Sequence, residues 1–168
     1  MVFGILTTYA FSGYEVTFDD YGNGNKELNF TIGEHVLQRV SHDGENYTQI
    51  AFEGNVVTTK KGFAELPYVH ASLMIDELKN IDIKIVPGSY QEYILSDPLL
   101  PSRGVIYRDT DITSVPYQVD PASVTDNWYP GELAKETEPY ILRDIRGVNV
   151  YVYPFQYNAS NRVLRVYK

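Results

Sequence analysis

Apolar residues in this chain recur at every second position in short runs, a period that suits strands and gives a long helix no continuous buried face. Leu28-Asn29-Phe30-Thr31-Ile32 is the cleanest case: Leu28, Phe30 and Ile32 share one face, which buries while the other stays wet. Tyr14-Glu15-Val16-Thr17-Phe18 alternates likewise, and Gly22-Asn23-Gly24-Asn25 then supplies the positive-φ positions of a hairpin return. The same reading expects strands at His35 to Val40 and Tyr47 to Phe52, with Asp43-Gly44 turning between them. Gly54 to Gly62 reads as a polar loop. Glu65-Leu66-Pro67-Tyr68 leads into a strand that runs to Ile75, where proline is tolerated only at a strand start or edge.

Further along, Ile81 to Val86 is expected as a strand, turned by Pro87-Gly88 onto a partner at Tyr90 to Leu95. Asp120 to Glu138 is rich in turn formers, with one helical turn expected around Gly131 to Lys135. Strands at Tyr140 to Ile145 and Val148 to Phe155 flank Arg146-Gly147. Asn158-Ala159-Ser160-Asn161 then turns the chain into a final strand, Arg162 to Tyr167. About ten short strands at roughly 8–12-residue spacing imply an all-β protein, an antiparallel β-sandwich of jelly-roll-like form. The expected organisation is a single domain over residues 1–168, with residues 1–25 only loosely tied to it. Met1 to Phe11 has no basic leader and no cleavage pattern, and reads as a first strand or an appended end, not as a signal.

Composition narrows the function. Twenty-two acidic residues against fourteen basic ones leave a net charge of −8, which disfavours nucleic acid and a polybasic membrane patch. Cysteine is absent, which removes a thiol nucleophile and a thiolate metal site. His35, His42 and His70 lack metal-ligand spacing. Ser41-His42-Asp43 imitates a catalytic triad in print only, because consecutive strand residues face opposite ways. Asp19-Asp20 and the pair Asp109 and Asp111 lack calcium-loop spacing and read as solvated turn acids. No cofactor and no metal are expected. Three glycosylation sequons begin at Asn29, Asn46 and Asn158. Trp128 and the tyrosines could form a sugar platform, but at strand spacing they read first as core and cross-strand pairs.

One stretch stands apart, Leu100-Pro101-Ser102-Arg103-Gly104-Val105-Ile106-Tyr107-Arg108-Asp109-Thr110-Asp111-Ile112-Thr113-Ser114-Val115-Pro116-Tyr117. The apolar run Val105 to Tyr107 reads as a strand edge that opens into a surface loop with Arg108 at its mouth. Asp, Thr and Ser in series favour turns over ladders. An arginine held there is a fork of donors on a long stem, shaped to enter an acidic pocket on another protein. The plainer alternative is a solvated arginine neutralised by Asp109 or Asp111. Arg143, Arg146 and Glu132 read as strand or turn residues that pair and pack.

From about Glu65 to Tyr167 the chain resembles the N-terminal propeptide of the gingipain family, secreted cysteine peptidases with a caspase-like catalytic domain. The resemblance is carried by Ala64-Glu65-Leu66-Pro67, then Pro101-Ser102-Arg103-Gly104-Val105-Ile106-Tyr107-Arg108 with Val115-Pro116-Tyr117, then Tyr129-Pro130-Gly131-Glu132-Leu133-Ala134. Pro139-Tyr140-Ile141-Leu142-Arg143-Asp144-Ile145-Arg146-Gly147, Pro154-Phe155-Gln156-Tyr157-Asn158 and Leu164-Arg165-Val166-Tyr167 complete it in the same order.

The resemblance implies a β-sandwich prodomain, itself no enzyme, that covers the peptidase cleft and keeps it latent during export to the periplasm or beyond. It also implies assistance in folding the peptidase. The family's inhibitory side chain is basic and occupies the primary specificity pocket, and the matching position here is Arg108, which assigns the chain to the arginine-specific kind. The implied inhibitory loop is Ile106, Tyr107, Arg108 and Asp109, and Arg108 is also the candidate processing site. The expected partner is a gingipain-type catalytic domain, in cis or in trans, with no nucleic acid and no membrane insertion. The alternative reading is a non-catalytic β-sandwich module that binds carbohydrate or a surface protein. The sequence ends at Lys168 without the basic junction that family propeptides carry, which leaves open a zymogen fragment or a free-standing protein.

Overall fold

The computed structural model describes residues 7–11, 13–22, 24–53, 56–75 and 82–168. Within them nearly every regular element is a strand and nearly every pairing antiparallel, as the alternation requires. β1 (Thr7–Phe11), β2 (Tyr14–Asp20) and β3 (Lys26–Ile32) form one meander, in which Val16 faces Phe30 and Phe18 faces Leu28. β4 (Val36–His42) and β5 (Glu45–Ala51) form a hairpin closed at Asp43 and Gly44, both at positive φ. β6 (Val56–Val57) lies in the stretch expected to be loop, and it pairs with the start of β7 (Pro67–Met74). Pro67 stands at the first position of its strand, where its missing N–H costs the ladder least.

The second half supplies β8 (Tyr90–Ile94), β9 (Trp128–Tyr129), β10 (Ala134–Glu136), β11 (Tyr140–Leu142), β12 (Ile145–Val152), β13 (Phe155–Asn158) and β14 (Val163–Tyr167). β12 pairs with β7 on one side, and with β10 and β11 on the other. A further sheet runs β8-β14-β13-β9. The core forms where these sheets and the β4–β5 hairpin meet. Phe52, Leu66, Val69, Leu99, Phe155, Tyr157, Leu164 and Val166 pack there as one buried cluster.

Three further expectations fail in detail. Residues 82–86 are not in a strand, and Ile81 lies outside the described residues. β8 pairs instead with β14, Tyr90 opposite Tyr167 and Ile94 opposite Val163, a strand anchored in the core by the buried Leu164 and Val166. The helical turn at Gly131 to Lys135 is absent. Gly131 sits at φ 92° and donates its N–H to Gln156 Oε1 at 3.0 Å, after which β10 joins β12. The return between β11 and β12 falls at Arg143 and Asp144, not at Arg146-Gly147, with Arg143 at φ 59°. Residues 1–6 of the expected first strand, Asn23 of the first turn and residues 54–55 of the polar loop lie outside the described residues.

Candidate functional site

The loop from Ser102 to Tyr117 leaves the core at a firmly held base. Leu99, Leu100 and Pro101 are buried, and Leu100 exchanges backbone hydrogen bonds with Thr48 O and Glu65 N. Ser102 is also buried: its N–H donates to Phe63 O at 2.7 Å, and its carbonyl accepts Gly62 N–H at 2.8 Å. Ser102 Oγ then accepts Gly104 N–H at 3.1 Å, which turns the chain outward. Gly104 adopts φ 84°, and a Cβ there would lie 3.2 Å from Lys61 Cβ, so the residue serves both backbone and space.

That turn corrects the expected strand edge. Residues 103–106 form no ladder, because Gly104 breaks the extension before it starts. Beyond Ile106 the chain runs through a string of short turns. Thr110 N–H donates to Tyr107 O at 3.0 Å, closing a turn whose two central residues are Arg108 and Asp109. Asp111 then caps the 3-10 turn Ile112–Ser114: its Oδ1 accepts Thr113 N–H at 2.9 Å and Thr113 Oγ1–H at 2.7 Å. Those two bonds hold the Asp111 carboxyl below its ordinary range.

Arg108, Tyr107 and Asp109 are exposed, Tyr107 at 71% and the nearby Val105 at 63%, while Ile106 is half-buried. No hydrogen bond, ion pair or ring contact joins Arg108 to another described residue. Asp111 is committed to its own turn, and neither it nor Asp109 forms an ion pair with Arg108 among the described residues, which is against the plainer alternative of a neutralised arginine. Arg103, five residues earlier, has the opposite environment. Its Nη1 donates to Ile112 O at 2.9 Å, and its guanidinium lies 4.5 Å from the centre of the Tyr117 ring. Tyr117 is in turn 4.2 Å from the His42 ring at the end of β4. Glu65 is near enough for the Arg103 charge to be felt at its carboxyl, although burial dominates and pushes that carboxyl above its ordinary value. Sequence reasoning passed over Arg103. Its only signal was a second arginine placed before a glycine.

The remaining candidates disperse. His35 sits edge-on to Tyr93 and Phe155, His70 lies against Tyr151, and Ser41 Oγ donates to Glu45 O, so no triad assembles. No group of three or more potential metal ligands occurs among the described residues. Trp128 is half-buried, with the Arg165 guanidinium 4.0 Å from its ring centre. Arg165 also stacks on Tyr90 and bonds Glu92 Oε1 through Nε and Nη2. One face of the Trp128 ring is therefore covered by a cation of the same domain. Asn158 is 5% exposed and bonded to Asp126 through Nδ2, so its sequon does not present a glycan acceptor. A cavity of about 670 Å³ lies between β3, residues 82–88 and the β7–β12–β10 face, lined by apolar residues such as Phe30, Leu73 and Val148 together with Lys26, Asp82 and Lys84.

A family model described as Propeptide_C25 matches residues 22–168. Gingipain R2 of Porphyromonas gingivalis is 35% identical over 117 residues, 69% of this chain and 16% of that protein. Gingipain R1 of the same organism is 32% identical over 109 residues, 65% of this chain and 11% of that protein. The chain thus corresponds to a small part of each of these relatives. Among solved structures, a complex of the pro- and mature domains of Porphyromonas gingivalis RgpB superposes with a TM-score of 0.76 at 26% identity, covering 96% of this chain and 80% of that one. A structure concerned with the zymogenic latency of gingipain K from Porphyromonas gingivalis shares the fold, with a TM-score of 0.70 at 18% identity over 98% and 88% of the two chains. The chain belongs to the Propeptide_C25 family, and is a gingipain-type propeptide rather than a catalytic domain.

Proposed function

We propose that residues 1–168 act as one latency domain of an exported, arginine-specific gingipain-type cysteine peptidase, in cis or in trans, by placing Arg108 in the primary specificity pocket. The observation that carries this reading is the contrast within one loop: Arg108 is exposed with no partner among the described residues, while the backbone on both sides is tied down. A guanidinium kept out of internal ion pairs needs no bond broken before it meets a pocket carboxylate, and less entropy is lost on docking. Paired bidentately and desolvated with its partner, such a residue is a hot spot of ~2–4 kcal/mol. Tyr107, Asp109 and Ile106 would frame it against the cleft. Inhibition rather than turnover follows if the loop binds as a ground state and is not drawn into the transition state. A slow cut after Arg108 would then release the block, and the same docked surface would assist folding of the peptidase.

The test is the inhibition constant of the chain against an arginine-specific gingipain. Arg108→Ala should weaken inhibition by about 30-fold or more, the factor for ~2 kcal/mol. Arg108→Lys should shift preference towards a lysine-specific peptidase, because the two cations differ at a bidentate site. An unchanged constant for Arg108→Ala would remove Arg108 from the mechanism.

A further inference from the structure

The loop holds two arginines, and an arginine-specific peptidase would meet both. Arg103 is bound to Ile112 O and stacked on Tyr117. Its bond spans the loop from 103 to 112 and closes the segment that carries Arg108. Inside that closed segment, the peptide bond between Arg108 and Asp109 is the central one of the turn sealed by Thr110 N–H and Tyr107 O. A peptidase needs the chain extended on both sides of the bond it attacks, since attack depends on alignment of thiolate and carbonyl. A turn centred on that bond bends the chain away immediately after Arg108.

The geometry points to Arg103 as the positioning residue that makes Arg108 a slowly cut plug instead of a substrate, by clamping the 103–112 segment shut around the Arg108–Asp109 peptide bond. This rests on Arg108 occupying the specificity pocket. Hydrolysis would break the Arg108 C–Asp109 N bond, pass the acyl group to the peptidase cysteine and then to water, and leave the proton on the new Asp109 amine. The clamp opposes this by holding the turn closed while leaving the Arg108 side chain free. Its strength therefore sets how long the inhibitor lasts, separately from how tightly it first binds. The same clamp keeps Arg103 itself, followed by Gly104 at positive φ, away from the enzyme.

The experiment incubates the 168-residue chain with an arginine-specific gingipain and tracks two readouts: the initial inhibition constant, and the rate at which fragments 1–108 and 109–168 appear by mass spectrometry. Arg103→Ala should be cut about tenfold faster than the wild type, the factor for about 1.4 kcal/mol of lost loop closure. Its initial inhibition should stay within about threefold, a shift of well under 1 kcal/mol. Arg103→Lys, which keeps a cation over Tyr117 and a donor for Ile112 O, should recover most of the resistance. Asp111→Ala, which loosens the far side of the clamp without touching Arg103, should accelerate cutting in the same direction and guards against an Arg103→Ala chain that does not fold. Equal cutting rates for wild type, Arg103→Ala and Asp111→Ala would overturn the clamp while leaving the plug intact. Undiminished inhibition by Arg108→Ala would instead remove the plug, and the clamp with it.

Discussion

Gln156 is a buried amide in a β core whose two N–H donors and carbonyl oxygen all have partners. Its Nε2 donates to Glu132 O at 3.1 Å and to Tyr153 O at 3.0 Å, and its Oε1 accepts Gly131 N–H at 3.0 Å. One side chain thus fixes the turn ahead of β10 against the start of β13. Replacing it by leucine takes the partner from two carbonyls and one N–H at a part-buried site, so Gln156→Leu should cost ~1–3 kcal/mol, measured as a fall in the urea midpoint at constant slope. Asn158 does the same for the loop before β9, through Asp126. Neither role was legible in the sequence, where both residues looked like polar strand and turn positions. Arg108 was legible as a polar loop cation. That it has no partner among the described residues, and that Arg103 does, depends on atoms brought together across nine residues and from β4.

At the scale of elements, β13 is the strand on which most else converges. All four of its residues are buried, and Phe155 meets Phe52 and His35 edge-on, both at 5.5 Å. Phe155→Ala should therefore destabilise by ~3–5 kcal/mol, checked by chemical denaturation, because several sheets line the cavity it would leave and none can close on it alone. The strands of the β4–β5 and β2–β3 hairpins were readable because a local alternation and a glycine turn specify both the pair and its register. β8 and β14 were not readable as partners. They lie some seventy residues apart in the chain, and their pairing is chosen by competition for ladder edges, to which no local pattern responds. The same holds for residues 103–106, where an apolar run signals a strand but Gly104 and the Ser102 hydroxyl divert the backbone.

Across the whole molecule the tyrosines couple folding to pH. Burial raises the phenols of Tyr14, Tyr47, Tyr68, Tyr129, Tyr153 and Tyr157 above their ordinary value, and a hydrogen bond to Glu27 raises Tyr21. Their folded-state affinities for the proton exceed the unfolded ones. The stability they carry is therefore complete below about pH 10 and is lost as pH rises through the folded values. A cooperative alkaline unfolding beginning above about pH 10 is expected, with tyrosinate absorbance rising as the sheet signal is lost. Tyr153→Phe should delay it, since that phenol, raised by burial, no longer ionises.

The sequence alone determined the all-β class, the antiparallel hairpins and the exposed loop around Arg108, because these arise from period, turn chemistry and solvation within a few residues. It also carried enough of the gingipain propeptide pattern for the family to be recognised. The tertiary structure alone decided which strands became neighbours, which of two loop arginines is held and which is left exposed, and where the buried amides find their partners. Each of those outcomes is a choice among distant groups competing for the same ladder edge, carbonyl or ring face, and only the folded chain brings the competitors within reach.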